Sequence, residues 1–315
     1  MILAAGEALI DLVMAPKADN AQFTAHVGGA PLNAAVALGR LDVPVRFACP
    51  VSTDSFGHMI REKLISSNVA LAAADPVSAP SPLAVVTLDE KGVPAYRFYR
   101  EGTADRQIDD TFMSQCLAVD FNLIHIGGTC LTNPVDFGKW MTLVDAAKQK
   151  GALVSLDPNI RPTLIDDASD FAARMNTAFA KADLIKASDE DCQTLFGYAD
   201  LEKLAAGPFA AAHLVLMSRG SAGASGHLAD GSIVDVPITP IDNLRDTVGA
   251  GDCFQAGLLS YLWEAGSLAS PTAFKDVTPA IVERAIAVGH AAAAINCARD
   301  GCDPAWHHEM PDMVL

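Results

Sequence analysis

The sequence predicts an α/β protein with a mainly parallel central sheet. Short apolar runs rich in Val, Ile and Leu alternate with segments of helical length, which is typical of consecutive β-α-β units. These runs are continuously apolar, as expected for strands that helices cover on both faces. The chain has 315 residues, of which 50% are hydrophobic and 19% are charged, and this composition excludes a disordered or low-complexity protein.

The predicted elements follow one another along the whole chain. Apolar runs typical of strands lie at residues 2–5, 45–49, 83–88, 123–126, 153–156, 184–186 and 214–217. Segments with a helical length and pattern lie between several of them, at residues 31–41, 56–68, 134–149 and 169–180. No internal repeat or long linker interrupts this order, so we predict a single domain over residues 1–315.

Two regions break the alternation of strands and helices. Residues 11–27 and 81–100 are predicted to be extended segments with turns, one of which is at residues 89–92, within lid regions at about 11–27 and 81–105. Polar and apolar side chains alternate over residues 96–100, which is typical of a half-exposed antiparallel strand. We predict that these two regions form a small β lid over one edge of the main sheet.

The net charge and the apolar segments limit the kinds of binding partner and the cellular location that we expect. With 22 basic and 38 acidic residues the net charge is −16, which argues against binding to nucleic acid or anionic membranes. The N-terminus lacks the basic segment of a signal peptide. The longest apolar stretch, residues 285–298, is shorter than the roughly 20 residues of a membrane span. The seven scattered cysteines favour reduced thiols, so we expect a cytoplasmic protein.

Residues 246–252, which read Asp-Thr-Val-Gly-Ala-Gly-Asp, carry the strongest chemical signal. Apolar residues recur at positions 254, 258 and 262, so a helix with a buried stripe begins here. The small residues of its first turn, Gly249, Ala250 and Gly251, leave backbone N–H groups uncovered, and such a terminus attracts phosphate. Asp252 would lie beside this anion and could accept a proton from an attacking hydroxyl group. Alternatively, Asp252 complements the helix dipole and the glycines only pack.

A second segment, residues 28–33, reads Gly-Gly-Ala-Pro-Leu-Asn. Gly28 and Gly29 allow a ligand to approach the backbone closely, and Pro31 suits the first position of a helix. Asn33, near that helix N-terminus, can present its amide to ligand hydroxyl groups. A glycine turn into an alanine-rich helix is also ordinary packing, and this alternative stays open.

Together the two segments resemble the two signatures of the ribokinase-like (PfkB-type) carbohydrate kinases, in spacing and in order along nearly the whole chain. The resemblance implies a three-layer α/β/α sandwich with a mainly parallel central sheet and a small β lid. It also implies an ATP-dependent sugar kinase in which Asp252 is the general base and the N–H groups of residues 249–252 stabilise the transferring phosphoryl group. The implied cofactors are ATP and Mg²⁺, with K⁺ as a further candidate.

Three other segments resemble parts of the family that contact the sugar. Residues 6–11 look like the family's first strand, whose closing aspartate contacts sugar hydroxyl groups. Residues 157–161 are similar to the DxNxR segment of fructokinases and 2-keto-3-deoxygluconate kinases, whose arginine would face a substrate or ATP oxygen. Residues 99–100 resemble a Tyr-Arg pair on the lid, and either arginine could instead form a surface salt bridge. The substrate-binding residues implied in this way are Asp11, Gly28, Gly29, Asn33, Arg100 and Arg161.

Further segments resemble the nucleotide side of the family's site. Residues 218–223 are similar to a (T/S)-x-G-x-x-G turn that touches the nucleotide. Ser188 and Asp191 occupy the place of an Asn-x-x-Glu pair linked to Mg²⁺ and phosphate, a departure from the family pattern that leaves Asp191 as the metal candidate. Residue 290 occupies the place of an asparagine where an adenine contact is expected. The nucleotide-binding residues implied are Ser188, Ser218, Gly220, Gly223, Thr247 and His290.

The sequence of the lid segment ranks the candidate substrates. Residues 98–106 look more like the lid exit of fructokinases than that of ketodeoxygluconate kinases, so fructose comes first and 2-keto-3-deoxygluconate second. Ribose or a nucleoside comes later, because DxNxR is less typical of those kinases. A non-catalytic sugar sensor and a structural protein are the alternatives from other classes. The expected partners are a small sugar and ATP, without nucleic acid or membrane, and with a homodimer through the β lid as a further candidate.

Overall fold

The computed structural model describes residues 1–14, 22–88, 94–238, 241 and 243–311. The turn predicted at residues 89–92 lies outside these described residues. The strands are β1 (Ile2–Ala5), β2 (Leu9–Met14), β3 (Phe23–Gly28), β4 (Val45–Ala48), β5 (Ala70–Leu71), β6 (Leu83–Leu88), β7 (Pro94–Tyr99), β8 (Leu123–Gly127), β9 (Leu153–Asp157), β10 (Leu184–Ser188), β11 (Leu214–Ser218), β12 (Ala224–Leu228) and β13 (Ile233–Val236).

The helices occupy the segments between these strands and most of the C-terminal quarter of the chain. They are α1 (Ala30–Arg40), α2 (Ser55–Ile65), α3 (Asp110–Leu117), α4 (Pro134–Gln149), α5 (Ala168–Phe179), α6 (Asp189–Phe196), α7 (Leu201–Ala206), α8 (Ala250–Glu264), α9 (Pro271–Lys275) and α10 (Pro279–Cys297). The four helices predicted from the sequence are therefore confirmed, with ends that differ by up to three residues.

The larger sheet has nine strands in the order β13-β12-β11-β10-β9-β8-β1-β4-β5. The strands from β11 to β5 are parallel to their neighbours, whereas β12 is antiparallel to both β11 and β13. This confirms the predicted mainly parallel sheet. The antiparallel edge was missed, because β12 reads Ala-Ser-Gly-His-Leu and lacks the apolar run that marks the other strands.

Helices cover both faces of this sheet. On one face, core residues of α1, α2, α8 and α10 pack together, for example Leu38, Ile60, Leu258 and Ile286. On the other face, core residues of α3 to α7 do the same, for example Phe112, Trp140, Phe171 and Leu204. Successive residues of β1 point to the two cores in turn, since Ile2 and Ala4 belong to the first and Leu3 and Ala5 to the second. The three-layer sandwich is therefore confirmed.

The smaller sheet has four strands in the order β3-β2-β6-β7 and corresponds to the predicted lid. The two hairpins, β2 with β3 and β6 with β7, are antiparallel, and β2 runs parallel to β6 where the hairpins meet. Leu12, Ala25 and Val27 pack against the main core, whereas Phe23 and Tyr96 are exposed. The register places Phe23 at the end of the same face as Ala25, whereas Tyr96 shares the opposite face with Asp11.

Helix α10 is long and apolar enough, by length and composition, to cross a membrane. In this structure half of its apolar window is buried, and α10 packs along α8. Val282 and Ile286 are fully buried in the core that α8 and α10 share. Its hydrophobicity is therefore that of a core helix.

Candidate active site

The carboxyl ends of the parallel strands meet the N-terminus of α8, and ligands bind at this edge in open α/β sheets. Helix α8 begins after Gly249, whose positive φ of 74° suits a glycine. Its first turn lies against Asn159, which follows β9, and Lys186, which belongs to β10. Asn33, in the first turn of α1, reaches the same point. The structure thereby brings the two motifs of the sequence together.

The carboxylate of Asp252 is held by two asparagine amides. Nδ2 of Asn33 donates to Oδ2 of Asp252 at 2.9 Å, and Nδ2 of Asn159 donates to Oδ1 at 3.0 Å. Asp252 is only 7% exposed, and burial raises its pKa. The two amides and the positive charges of Lys186 and Arg161 oppose this rise, because all of them stabilise the carboxylate. Asp252 is therefore a fixed, buried carboxylate that binds a proton more readily than an ordinary aspartate.

The first turn of α8 offers backbone donors to an anion. The N–H of Ala250 donates to the carbonyl of Thr247 at 3.1 Å, and that of Cys253 donates to the carbonyl of Gly249 at 2.8 Å. The N–H groups of Gly251 and Asp252 have no acceptor within the described part of the chain. Because Gly251 is exposed and has no side chain, these two donors form a surface suited to a phosphate oxygen.

Asp11 lies on β2 of the lid, close enough to Asp252 for the charge of Asp252 to act on it. Burial and the negative charge of Asp252 raise the pKa of Asp11 to about 6, although Arg161 opposes the rise. A β-carbon on Gly28 would collide with Oδ2 of Asp11, so this glycine makes room for the carboxylate. Gly29 has a φ of +112°, and a β-carbon there would lie 2.7 Å from the carbonyl oxygen of Glu7. Packing alone therefore requires a glycine at both positions, and the predicted ligand role is a second reason for glycine there.

The two predicted arginines lie in different surroundings. Arg161 is exposed, and its guanidinium donates to the carbonyl of Ile160 at 3.2 Å. Its positive charge opposes the rise in the pKa of Asp11 and of Asp252. Arg100 directly follows β7 and forms a buried ion pair, with Nη2 2.6 Å from Oδ2 of Asp105. Arg161 therefore borders the cluster around Asp252. Arg100 does form a salt bridge, as the alternative interpretation expected, but the salt bridge is buried and does not lie on the surface.

Ser188 and Asp191 form the N-terminal cap of α6. The hydroxyl of Ser188 accepts from the N–H of Asp191 at 3.0 Å and donates to Oδ2 of Asp191 at 2.7 Å. The other carboxylate oxygen, Oδ1, accepts from the N–H of Ile160 at 2.8 Å. Asp191 thus caps a helix and fixes the turn that carries Asn159 and Arg161. Its assignment to Mg²⁺ stays a prediction.

The turn at residues 218–223 follows β11 at the same edge of the sheet. Ser218 ends β11, and Gly220 has a φ of +51° with open space around it. A β-carbon on Gly223 would collide with the carbonyl oxygen of Val236, so this glycine is required by the neighbouring strand. The open side of the turn is consistent with the predicted nucleotide contact.

Two predicted nucleotide contacts, Thr247 and His290, lie next to α8. Thr247 is exposed in the loop before α8. His290 lies on α10, with its ring centre 5.3 Å from that of Phe254, and burial lowers its pKa. His290 therefore packs against Phe254, and its contact with adenine stays a prediction.

Sequence reasoning assigned no role to Asn159, Asp157 or Lys186, yet all three lie at the site. Nζ of Lys186 is 2.8 Å from Oδ2 of Asp157, and these residues are 3% and 4% exposed. Burial raises the pKa of Asp157 to about 6. Burial disfavours the Lys186 ammonium, but Asp157 and other nearby carboxylates outweigh this, so the pKa of Lys186 is raised. A lysine inside a buried strand was the signal in the sequence that could have singled out Lys186, although not its partner.

The sequence profile of the pfkB family carbohydrate kinases matches residues 1–309, so the chain belongs to this family of carbohydrate kinases. Among named relatives, it is similar to a fructokinase of Rhizobium leguminosarum bv. trifolii. The two are 37% identical over 264 residues, which cover 83% of this chain and 79% of the relative. The predicted family is thereby confirmed.

Solved structures agree with this assignment. A fructokinase with bound ATP from Xylella fastidiosa matches with a TM-score of 0.79 and 26% identity, over 98% of this chain and 94% of that one. A fructokinase from Vibrio cholerae O395 in a form with bound fructose, ADP and calcium ion matches with a TM-score of 0.77 and 26% identity. The latter match covers 96% of this chain and 94% of that one. The fold is therefore shared with sugar kinases over almost its full length.

Proposed function

We propose that this protein is an ATP-dependent fructokinase, which transfers the γ-phosphoryl group of ATP to a hydroxymethyl group of fructose. The observation that carries the proposal is the position of Asp252, a buried carboxylate held by Asn33 and Asn159 in the first turn of α8. The relatives named as fructokinases support fructose as the substrate.

Asp252 is proposed to be the general base. Each of its carboxylate oxygens accepts one amide hydrogen and keeps a further lone pair for a substrate hydroxyl group. Its raised pKa makes it a stronger proton acceptor than an exposed aspartate. Removing the hydroxyl proton as the oxygen attacks phosphorus is worth about 10²–10⁴ in rate. The two amides hold the carboxylate in one orientation, which is what such a transfer requires.

The N–H groups of Gly251 and Asp252 are proposed to stabilise the transferring phosphoryl group. Negative charge at the N-terminus of a helix is favoured by the helix dipole and by direct hydrogen bonds. Gly249 and Ala250 leave this terminus uncovered, because neither carries a side chain that could reach over it. The donors are fixed before the reaction, so they need no reorganisation as charge develops.

The sugar is proposed to lie between the lid and α1. Asp11 on β2 can accept hydrogen bonds from sugar hydroxyl groups, and Gly28 and Gly29 carry the chain from the lid into α1 close to Asn33. Closure of the lid sheet over the sugar would exclude water from the phosphoryl group. Arg100 and Arg161 remain the proposed cationic contacts of this side of the site.

ATP and a divalent cation, Mg²⁺ by our prediction, are the proposed cofactors, with K⁺ as a further candidate. The described residues include no group of three or more His, Cys, Asp or Glu side chains that could hold an ion. One carboxylate oxygen is free of partners in the described structure, the buried Oδ1 of Asp157, and Asp191 lies nearby with both of its oxygens already accepting hydrogen bonds. They would hold Mg²⁺ together with water and nucleotide phosphates, and Mg²⁺ would neutralise phosphate charge. Ser188, Ser218, Gly220, Gly223, Thr247 and His290 are the proposed nucleotide contacts.

One observation supports a second candidate, a 2-keto-3-deoxygluconate kinase. Arg161 is exposed beside Asp11 and Asp252, and a guanidinium suits the carboxylate of a sugar acid. An assay of ATP consumption with fructose, ketodeoxygluconate, ribose, glucose and adenosine separates the candidates. Fructose as the best substrate supports the proposal, and ketodeoxygluconate as the best substrate replaces it. No turnover with any sugar, together with sugar binding, would indicate a sensor. A cytoplasmic location and a dimer through the lid remain predictions.

A further inference from the structure

Two cysteines that the proposed reaction does not use lie beside the first turn of α8. Cys253 follows Asp252 in the chain and is fully buried, and its N–H donates to the carbonyl of Gly249 at 2.8 Å. Cys302 lies in the segment after α10, and a β-carbon on Gly249 would collide with its Sγ. Both cysteines therefore contact Gly249, the N-cap of α8.

The side chains of Cys253 and Cys302 also contact each other. A hydrogen bond between the two thiols, together with burial, raises the pKa of the Cys253 thiol. A disulfide bond has a narrow range of geometries, so it forms between cysteines whose side chains already meet. Cys253 and Cys302 are therefore a candidate disulfide pair.

An oxidant can reach one member of this pair. All seven cysteines lie in the part of the chain that the structure describes, and Cys302 is partly exposed whereas the other six are buried. Oxidants attack accessible thiols, so Cys302 should react first. Cys49 and Cys130 also lie near each other, but both are buried away from an oxidant.

The segment that carries Cys302 is fixed on both sides of this residue. The N–H of Gly301 donates to Oδ2 of Asp246 at 2.9 Å, and the N–H of Asp303 donates to Oδ1 of Asn296 at 2.9 Å. Asp246 belongs to the loop that leads into α8. A change at the side chain of Cys302 is therefore passed to α8 and to the loop before it.

We propose that Cys253 and Cys302 are an oxidative modification site, at which a peroxide forms a disulfide bond that displaces the first turn of α8 and slows phosphoryl transfer. With hydrogen peroxide, the sulfur of Cys302 attacks one oxygen and the O–O bond breaks. The sulfur is oxidised to a sulfenic acid, and the other oxygen leaves as water. The sulfur of Cys253 then bonds to that of Cys302, and the hydroxyl group leaves with the Cys253 proton as a second water.

The disulfide bond would act on the reaction through the position of Asp252. Its formation draws the two sulfur atoms closer together than they are in their present contact. Because Cys253 directly follows Asp252, the proposed general base moves with it. A displacement of about 1 Å at a catalytic site can cost about 100-fold in rate. This effect on turnover rests on the proposed function, whereas formation of the disulfide does not.

The test treats the reduced full chain with hydrogen peroxide and then measures two quantities. Peptide mapping by mass spectrometry detects the cross-link, and a steady-state assay with ATP and fructose gives the turnover number. We expect a link between Cys253 and Cys302 and a turnover number lowered at least about tenfold. Reduction with dithiothreitol should reverse both changes.

Three variants identify the thiols that respond. Cys302→Ala should be active before treatment and should keep its activity during treatment, and Cys253→Ala should likewise form no link to residue 302. Cys116→Ala is the matched control, because Cys116 is buried in the core on the opposite face of the sheet. This control should be inhibited by peroxide to the same extent as the wild type.

Three results would overturn the proposal. They are oxidation of Cys302 without a link to Cys253, a linked protein with the turnover number of the reduced form, and reversible inhibition that persists in Cys302→Ala. Failure of the proposed function is a separate result, because the cross-link is detected without any sugar. A reduced protein that phosphorylates no sugar yet forms the link would refute the fructokinase assignment and keep the modification site.

Discussion

The side-chain amide of Asn33 lies 2.9 Å from the carboxylate of Asp252, although 219 positions separate them in the chain. This hydrogen bond joins the first turn of α1 to the first turn of α8, and so connects the proposed sugar side of the site to the proposed phosphoryl side. Asn159 completes the arrangement from the opposite carboxylate oxygen. The proposed general base is thus held by two residues from separate parts of the chain, Asn33 of α1 and Asn159 after β9.

We expect Asn159→Asp to move the acidic limb of the pH profile to higher pH. The change replaces an amide donor to Asp252 with a carboxylate, and a like charge raises the pKa of a neighbouring acid. Asn159 has a positive φ of 41°, which aspartate tolerates, so the turn should be kept. The measurement is kcat/KM for fructose against pH. Asn133→Asp, at the N-cap of α4, is the control, and an unchanged profile in both variants would contradict the role of Asn159.

Asp11→Asn should stabilise the protein at pH 7 while it weakens sugar binding. The pKa of Asp11 is raised from 3.8 to about 6 in the folded state, so stability falls as pH rises between these values and is lowest above them. Asparagine does not titrate, and the free energy of unfolding at pH 7 should rise by up to about 3 kcal/mol. At pH 4 the gain should vanish. Denaturant unfolding at both pH values, with the KM for fructose, checks this; lower stability at pH 7 would contradict it.

Gly251→Ala separates packing from phosphate binding at α8. Alanine favours a helix over glycine by about 0.5–1 kcal/mol, so stability should be kept. Its β-carbon would lie 3.2 Å from Nζ of Lys186 and would cover the N–H groups proposed to bind phosphate. We therefore expect a folded variant with a turnover number reduced at least about tenfold. Gly138→Ala on α4, where the β-carbon meets nothing within 4 Å, is the control. Full activity in Gly251→Ala would show that this glycine has no catalytic purpose.

The two arginines should respond differently to truncation. Arg100→Ala leaves Asp105 buried without its ion-pair partner, which costs about 3–5 kcal/mol of stability. Arg161 is exposed, so Arg161→Ala should change stability by less than about 0.5 kcal/mol while it lowers turnover with fructose. Thermal unfolding and steady-state kinetics of both variants are the measurements. An Arg161→Ala enzyme with normal fructose kinetics but weakened use of ketodeoxygluconate would favour the second candidate substrate.

The sequence allowed the sheet, the lid and the two motifs of the site to be predicted, because each depends on local pattern. The pairing of Lys186 with Asp157 could not be predicted, since it depends on the register that places Ile185 beside Leu156 in neighbouring strands. The ion pair of Arg100 with Asp105 depends likewise on the turn after β7. The lid assignment held because polar and apolar residues alternate in β7, whereas β12 escaped because it has no such pattern.

The central claim is that Asp252 removes the proton of a fructose hydroxyl group. Its most direct test is the turnover number of Asp252→Asn with fructose and ATP, measured beside the affinity of the same variant for ATP. Asparagine keeps the size of the side chain but cannot accept the proton, so turnover should fall about 10²–10⁴-fold while ATP affinity stays near the wild-type value. Turnover within a few-fold of the wild type would contradict the claim.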